Sequence, residues 1–184
     1  SEAVAETSDE RMEKFFEGEQ FTQKELIDGI HDGMNRGIIT PVVCTSALAQ
    51  GAIDMLLKEF ELLLPSPAEV YAAEAFDSKD DIIDVKCDAS APVSAFVFKT
   101  VADAFVGKMS FIRVMSGNLT SNSELVNAKT GETEKIGKLY TLCGKKQTEV
   151  NSAAAGDIVI ASKIDANTSE TLCAVSNVIR FAEI

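Results

Sequence analysis

The sequence predicts an α+β chain of two modules, a partial α/β unit made of helices and one strand, followed by an all-β barrel. The first indication is charge: residues 1–91 carry 20 acidic and 7 basic side chains, whereas residues 92–184 carry 9 and 10. The second is periodicity. Apolar residues recur at helical spacing in the first part, and short strand-like runs with turn residues between them fill the second. A chain of 184 residues is long enough for both modules.

Residues 1–67 are predicted to form helix, helix, strand and helix. Two Thr–Glu pairs with capping-box spacing mark the first two helix starts, and a glycine follows each helix: Thr7 with Glu10 before Gly18, and Thr22 with Glu25 before Gly37. The apolar run 38–44 is too short for a helix and predicts a strand, which Pro41 places at a sheet edge. An amphipathic helix over 53–64 then ends at Pro65. A single strand has nothing to pair with, so we expect this module to be part of a larger domain.

Residues 68–91 are predicted to be an acidic connector, because aspartates are concentrated between positions 77 and 88. The barrel follows over 92–184, with turns rich in glycine and polar residues between its strands. The strands are expected at 93–100, 108–115, 123–127, 134–142, 157–161 and 177–181.

Composition excludes several classes of protein. The net charge of −12 argues against a free-standing DNA-binding protein, since such proteins neutralise phosphates with an excess of Lys and Arg. No apolar run reaches the roughly 18 residues that a membrane span needs. The four cysteines are widely spaced and there is a single histidine, which disfavours a zinc site or a disulfide framework and favours a reducing compartment.

No catalytic constellation stands out. The nearest approach to a phosphate-binding loop runs from Gly131 to Gly137-Lys138, but its spacing is one residue too long and it lies between two predicted strands. The guanine-reading Asn-Lys-x-Asp pattern is absent. The one imidazole, His31, lies in a polar stretch of the second predicted helix, where we interpret it as a surface residue. We therefore expect no catalytic residue and no metal site in this chain.

The clearest binding signal is a group of lysines around one predicted strand and its loop. Lys135, Lys138, Lys145 and Lys146 flank Tyr140 there. Such a basic surface can hold the phosphates of a structured RNA by charge while contributing little to sequence choice. The alternative is that these are ordinary solvated lysines that discourage edge-to-edge pairing of strands.

Several runs, in the same order along the chain, resemble translation elongation factor G. The runs similar to the end of its GTPase domain are 13–19 (EKFFEGE) and 41–48 (PVVCTSAL), and those similar to its second domain are 92–99 (PVSAFVFK), 111–117 (FIRVMSG) and 155–158 (AGDI). The resemblance covers nearly the whole chain, and its collinearity makes it more specific than any single run.

This resemblance implies that the chain is an internal fragment of a cytoplasmic translational GTPase acting in elongation, without contact to membranes. Ser46, Ala47 and Leu48 would belong to the loop whose backbone contacts guanine, although by themselves they predict an ordinary strand-to-helix loop with a Ser cap. The barrel would pack on the GTP-binding domain and dock on small-subunit ribosomal RNA through the four lysines. GTP and Mg²⁺ would be bound by the full-length factor, and the fragment alone would not hydrolyse GTP.

Two alternatives stay open. The chain could be a non-translational β-barrel module that binds a small ligand or a protein partner. It could also come from a paralogue of the ribosome-protection type rather than from a translocating factor.

Overall fold

The computed structural model describes residues 1–69, 72–103 and 107–184, and the chain divides into two compact units, Ser1–Val70 and Tyr71–Ile184. The first unit contains the helices, and the second is built of antiparallel strands. The predicted fold class, helices followed by an all-β barrel module, is therefore confirmed.

The first unit has four helices, and sequence-local signals set most of their ends. They are α1 (Glu2–Ala5), α2 (Asp9–Phe16), α3 (Gln23–Asn35) and α4 (Ile53–Leu63). The capping box of Thr22 and Glu25 is formed as predicted. The prediction that Thr7 caps the next helix is wrong, because the Ser8 hydroxyl accepts the Arg11 N–H instead and α2 begins after Ser8. The Thr7 hydroxyl is already used, since it donates to the Val4 carbonyl at 2.6 Å.

Helix α3 is the centre of the first unit because two glycines let other segments approach it closely. Gly29 accommodates the Val4 side chain of α1, and a Cβ at Gly33 would lie 2.5 Å from Ile39 Cδ1. On the same helix, His31 Nδ1 lies 3.0 Å from the Leu63 carbonyl at the end of α4. The half-buried His31 side chain thus links two helices and is not the freely solvated residue that we expected.

The strand predicted over 38–44 is not formed. A strand needs a neighbour for its N–H and C=O groups, and among the described residues this segment has none. Its first two N–H groups, those of Ile38 and Ile39, instead donate to the Gly33 carbonyl and close the end of α3. Pro41 removes a further donor, which leaves the segment irregular.

The second unit has thirteen described strands in three sheets. They are β1 (Ala73–Phe76), β2 (Ile82–Val85), β3 (Ser94–Asp103), β4 (Gly107–Ser116), β5 (Asn118–Thr120), β6 (Glu124–Asn127), β7 (Thr133–Lys135), β8 (Leu139–Cys143), β9 (Lys146–Val150), β10 (Ser152–Ala154), β11 (Ile158–Ser162), β12 (Thr171–Cys173) and β13 (Arg180–Phe181). The sheet orders are β7-β6-β12-β3-β4-β11-β8-β9, β13-β1-β2 and β10-β5.

The eight-stranded sheet curves into a barrel around one core. Fully buried side chains from strands far apart in the sheet order, such as Leu125 of β6 and Leu139 of β8, belong to a single apolar cluster. A flat sheet would keep these side chains on separate parts of its face, so their contact requires curvature. Ile112, Val114 and Leu172 fill the middle of the same cluster.

The stretch predicted as a connector contains a β-hairpin. Strands β1 and β2 pair with each other, and β1 pairs with β13 near the end of the chain. Ile83 and Val85 of the hairpin pack against a second apolar cluster, as do Phe96 and Met115 of the barrel strands; the cluster consists of Ala75, Cys173, Ile179 and Phe181. Asp84, between Ile83 and Val85, is exposed. The acidic composition thus concealed an alternating strand pattern whose apolar side is buried.

Candidate functional site

A hairpin of β8 and β9, which we call the arm, stands out from the barrel. Strand β8 pairs with β11 only at Leu139 and Tyr140, whereas it pairs with β9 along its full length. Residues 141–149 are all exposed, and the turn between the strands contains Gly144 at φ +59°. The arm is therefore a solvent-facing projection, free to meet a partner along most of its length.

The structure divides the four predicted lysines into two pairs. Residues 134–142, expected as one strand, break into β7 and β8, so Lys135 and Lys138 lie at the base of the arm. Lys145 and Lys146 lie at its tip, beyond the five residues of β8. At about 3.4 Å per strand residue, base and tip are roughly 17 Å apart. The lysines therefore do not form the one compact surface that the sequence suggested.

Lys138 also differs from the two lysines at the tip in its electrostatic surroundings. Lys138 donates to Glu149 across the arm at 2.8 Å, and this hydrogen bond raises the pKa of its ammonium. Among the described side chains, no carboxylate lies within 4 Å of Lys145 or Lys146. The positive charge at the tip is uncompensated, so the tip is the better phosphate-binding position.

The loop that holds Ser46, Ala47 and Leu48 is compact and fully exposed. Ser46 and Gly51 exchange two backbone hydrogen bonds of 3.1 and 3.0 Å, and the Ser46 hydroxyl accepts the Ala49 N–H at 3.2 Å. Across the described chain, no protein acceptor takes the N–H groups of Ala47 and Leu48. The loop thus offers two backbone donors to solvent on a fixed turn, an arrangement that suits a ligand carbonyl.

Several large apolar side chains are exposed in this loop and in the segments before and after it in the first unit. Large apolar side chains lie in the irregular segment, the loop and α4 with 49 to 102% of their area exposed: Val42, Val43, Leu48, Met55, Leu57 and Phe60. A groove of about 280 Å³ between α3, α4 and residues 40–43 is lined mainly by the same kind of residue. Exposed apolar side chains beside an apolar groove mark a candidate interaction site.

The sequence analysis missed a group on the outer barrel surface, which we call the wall: Lys99, Phe111, Arg113 and Ile158. Phe111 and Arg113 alternate with the core residue Ile112, so both face outward. Lys99 is opposite Phe111 in register, and its ammonium lies 5.6 Å from the centre of the Phe111 ring. Ile158 is opposite Arg113 and is 57% exposed. Only strand register brings these four together, and no spacing in the sequence signals it.

Residues 1–69, 72–103 and 107–184 contain no group of three or more His, Cys, Asp or Glu side chains arranged to hold a metal ion. None of the helices there combines the length and the apolar character that crossing a membrane requires.

Known proteins resemble this chain both in sequence and in fold. Residues 92–175 match the family described as elongation factor G domain 2. The fold matches a crystal structure of a protein from Thermus thermophilus with a TM-score of 0.72 and 28% sequence identity, over 94% of this chain and 23% of that one. The chain therefore spans about a quarter of the length of the protein that it matches.

Proposed function

We propose that this chain, which belongs to the elongation factor G family through its domain 2 over residues 92–175, is part of a cytoplasmic GTPase that acts on the ribosome in translation elongation. In this proposal the barrel docks the factor on small-subunit ribosomal RNA and packs on the GTP-binding domain. The family match over residues 92–175 is the observation that carries it.

The arm supports the docking part of the proposal. Most contacts of a protein with nucleic acid go to phosphate and sugar, and Lys is a frequent donor to them. In a chain of net charge −12, the exposed tip with Lys145 and Lys146 is a local positive region. Lys138 is occupied by Glu149, so we assign it a smaller part in binding. Lys135, at the base of the arm, remains a proposed contact.

The loop at Ser46, Ala47 and Leu48 supports a role in nucleotide binding. We propose that the full-length factor binds GTP with Mg²⁺ and that this loop contributes to the guanine pocket. The free N–H groups of Ala47 and Leu48 suit this role, since guanine presents the carbonyl oxygen O6 as an acceptor. GTP, when bound, supplies the phosphoanhydride that is hydrolysed. In this proposal the loop contacts the guanine base and takes no part in the hydrolysis.

The apolar surface of the first unit supports an intramolecular partner. We propose that the rest of the GTPase domain covers Val42, Val43 and the exposed side of α4. Each side chain of this size contributes roughly 1.5–3 kcal/mol when fully buried, so covering several of them is strongly favourable. An irregular apolar segment next to an apolar helix leaves room for a neighbouring sheet strand of the rest of that domain.

Ribosome co-sedimentation tests the proposal with the full-length factor. The variant K145E/K146E removes the uncompensated charge at the arm tip, and K163E is its control, because Lys163 is an exposed lysine outside the arm. One phosphate contact contributes about fivefold in affinity at 0.15 M salt, so the double variant is expected to bind at least 10-fold more weakly. Equal binding of both variants would overturn the role of the tip. Failure of the unaltered factor to bind ribosomes would favour a non-translational barrel module.

A further inference from the structure

We propose that Gln50 and Ala52 limit how tightly the full-length factor holds a guanine nucleotide. Both residues strain the 46–52 loop in its closed form, the form that presents the free N–H groups of Ala47 and Leu48. The closed form is then the less populated one until the nucleotide binds. This inference rests on the proposed role of the loop in nucleotide binding and deepens it, because it adds a control on affinity.

Three hydrogen bonds hold the 46–52 loop closed. Ser46 and Gly51 exchange two between their backbones, and the Ser46 hydroxyl accepts the Ala49 N–H. Residues 46–51 are exposed, so the loop has little packing to add to these bonds. Its closed form therefore depends on the backbone torsions that bring Gly51 opposite Ser46.

Two residues of the closed loop have left-handed backbone conformations without being glycine. Gln50 has φ +52° and Ala52 has φ +58°. In this region the Cβ of an L-residue crowds the carbonyl oxygen that follows, which disfavours the conformation about fivefold for each residue. Strained residues of this kind are concentrated at ligand-binding and switch regions.

The single glycine of the loop lies between these two residues and relieves neither. Gly51 itself is outside the left-handed region. A Cβ on Gly51 would lie 3.9 Å from the Ser46 Cβ, which is an ordinary contact. Nothing at position 51 thus requires a glycine, whereas the backbone at positions 50 and 52 would be relaxed by one.

The strain belongs to the closed form because the left-handed torsions orient both polar groups of Gly51. The torsions of Gln50 set the direction of the Gly51 N–H, and those of Ala52 set the direction of the Gly51 carbonyl. If either residue relaxes to a negative φ, these groups turn away from Ser46 and the loop opens. A nucleotide that needs the closed form then binds more weakly, in proportion to the fraction of loops that are closed.

The variant A52G tests the inference in the full-length factor, with a fluorescent GDP analogue as the probe. It removes one strained side chain, so it is expected to bind the probe up to about fivefold more tightly and to release it more slowly. A49G is the matched control, because Ala49 lies in the same loop without a positive φ. The control is expected to bind the probe no more tightly than the unaltered factor.

Two further variants separate strain from chain flexibility. G51A/A52G moves the glycine by one position and keeps the number of glycines, so the flexibility of the unfolded chain is unchanged, and its affinity is expected to equal that of A52G. Q50G is expected to tighten binding independently, because it relieves the other left-handed residue. Inorganic pyrophosphate, which has no base, is expected to bind A52G and the unaltered factor equally, since the loop contacts only the base.

Three outcomes would overturn the inference: GDP binding by A52G within twofold of A49G, loss of the gain in G51A/A52G, or an equal gain in affinity for pyrophosphate, which would indicate a general effect on the fold. If the unaltered factor binds no guanine nucleotide, the proposed role of the loop fails, and this inference fails with it. If the unaltered factor binds GDP while A52G and A49G bind it alike, only the inference about strain in the loop fails.

Discussion

Gly117 is the position where a single methyl group is expected to disturb the barrel most. It links β4 to β5 at φ +75°, and its N–H donates to the Asp88 carbonyl at 2.8 Å. A Cβ there would lie 2.5 Å from Val93 Cα and 2.8 Å from the Ala91 carbonyl oxygen. Both atoms belong to the backbone, so no side-chain rotation can make room.

Gly131 provides a matched control, because it has nearly the same backbone conformation in an open environment. Its φ is +73°, and a Cβ there would meet nothing within 4 Å. In G131A only the left-handed conformation is penalised, at about 1 kcal/mol. In G117A a backbone displacement adds about 2 kcal/mol or more, giving a total of about 3 kcal/mol. At roughly 4 °C per kcal/mol, melting is expected to fall by about 12 °C in G117A and about 4 °C in G131A.

Urea and thermal unfolding of the 184-residue chain, followed by far-ultraviolet circular dichroism, measure both losses. Pulsed thiol labelling, read at Cys173 by peptide mass, reports opening of the barrel, because this cysteine is fully buried, whereas Cys87 is half-buried and Cys44 and Cys143 are exposed. Burial also raises the pKa of the Cys173 thiol, which slows its reaction in the folded state. Equal destabilisation by G117A and G131A would refute the argument from backbone contact.

Three further predictions follow from other contacts. Burial raises the pKa of the Glu170 carboxyl, but hydrogen bonds from the Asn167 N–H and the Asn127 side chain outweigh burial and hold the pKa below its ordinary value. The Glu170 carboxylate therefore contributes to stability above about pH 4.5, and this contribution is lost as the pH falls through the folded pKa. In E170Q the free energy of unfolding should fall less steeply with decreasing pH in the acid range. An unchanged slope there would contradict this prediction. G29A should destabilise the first unit by about 2 kcal/mol in urea unfolding, because its Cβ meets Val4, and V4A should cost less in the G29A background than alone; equal costs would exclude the contact. The purified chain should release no phosphate from GTP and Mg²⁺, since neither a phosphate-binding loop nor a water-positioning residue was found in its sequence, and reproducible turnover would disprove this.

Much of the fold could be predicted because its signals are local. The cap at Thr22 needs only Glu25 three residues later, and the end of α4 needs only the prolines that follow. The barrel was predictable from alternating apolar residues and turn glycines, and the runs at 92–99 and 111–117 carried the family resemblance that the match over 92–175 confirms. Within such runs, the residues that specify the structure are neighbours in the chain.

The predictions that failed depend on residues far apart in the chain. The segment 38–44 has the composition of a strand but, among the described residues, no neighbour to pair with. The hairpin at 73–85 became recognisable only through its pairing with β13 and the burial of Ala75 beside Phe181, because its aspartates are typical of a solvated linker. Composition describes a segment, whereas pairing and burial depend on what the rest of the chain places beside it.

The candidate sites show the same division. The sequence by itself determined which residues carry charge, which loop resembles a guanine-contacting loop, and that a barrel follows the helices. Tertiary structure decided that two of the four lysines lie at the base of the arm and two at its tip, and that Glu149 is the partner of Lys138. It also decided that Lys99 lies over Phe111 beside Arg113. The physical reason is lateral register: strands distant in sequence align through backbone hydrogen bonds, and this alignment determines which side chains share a surface.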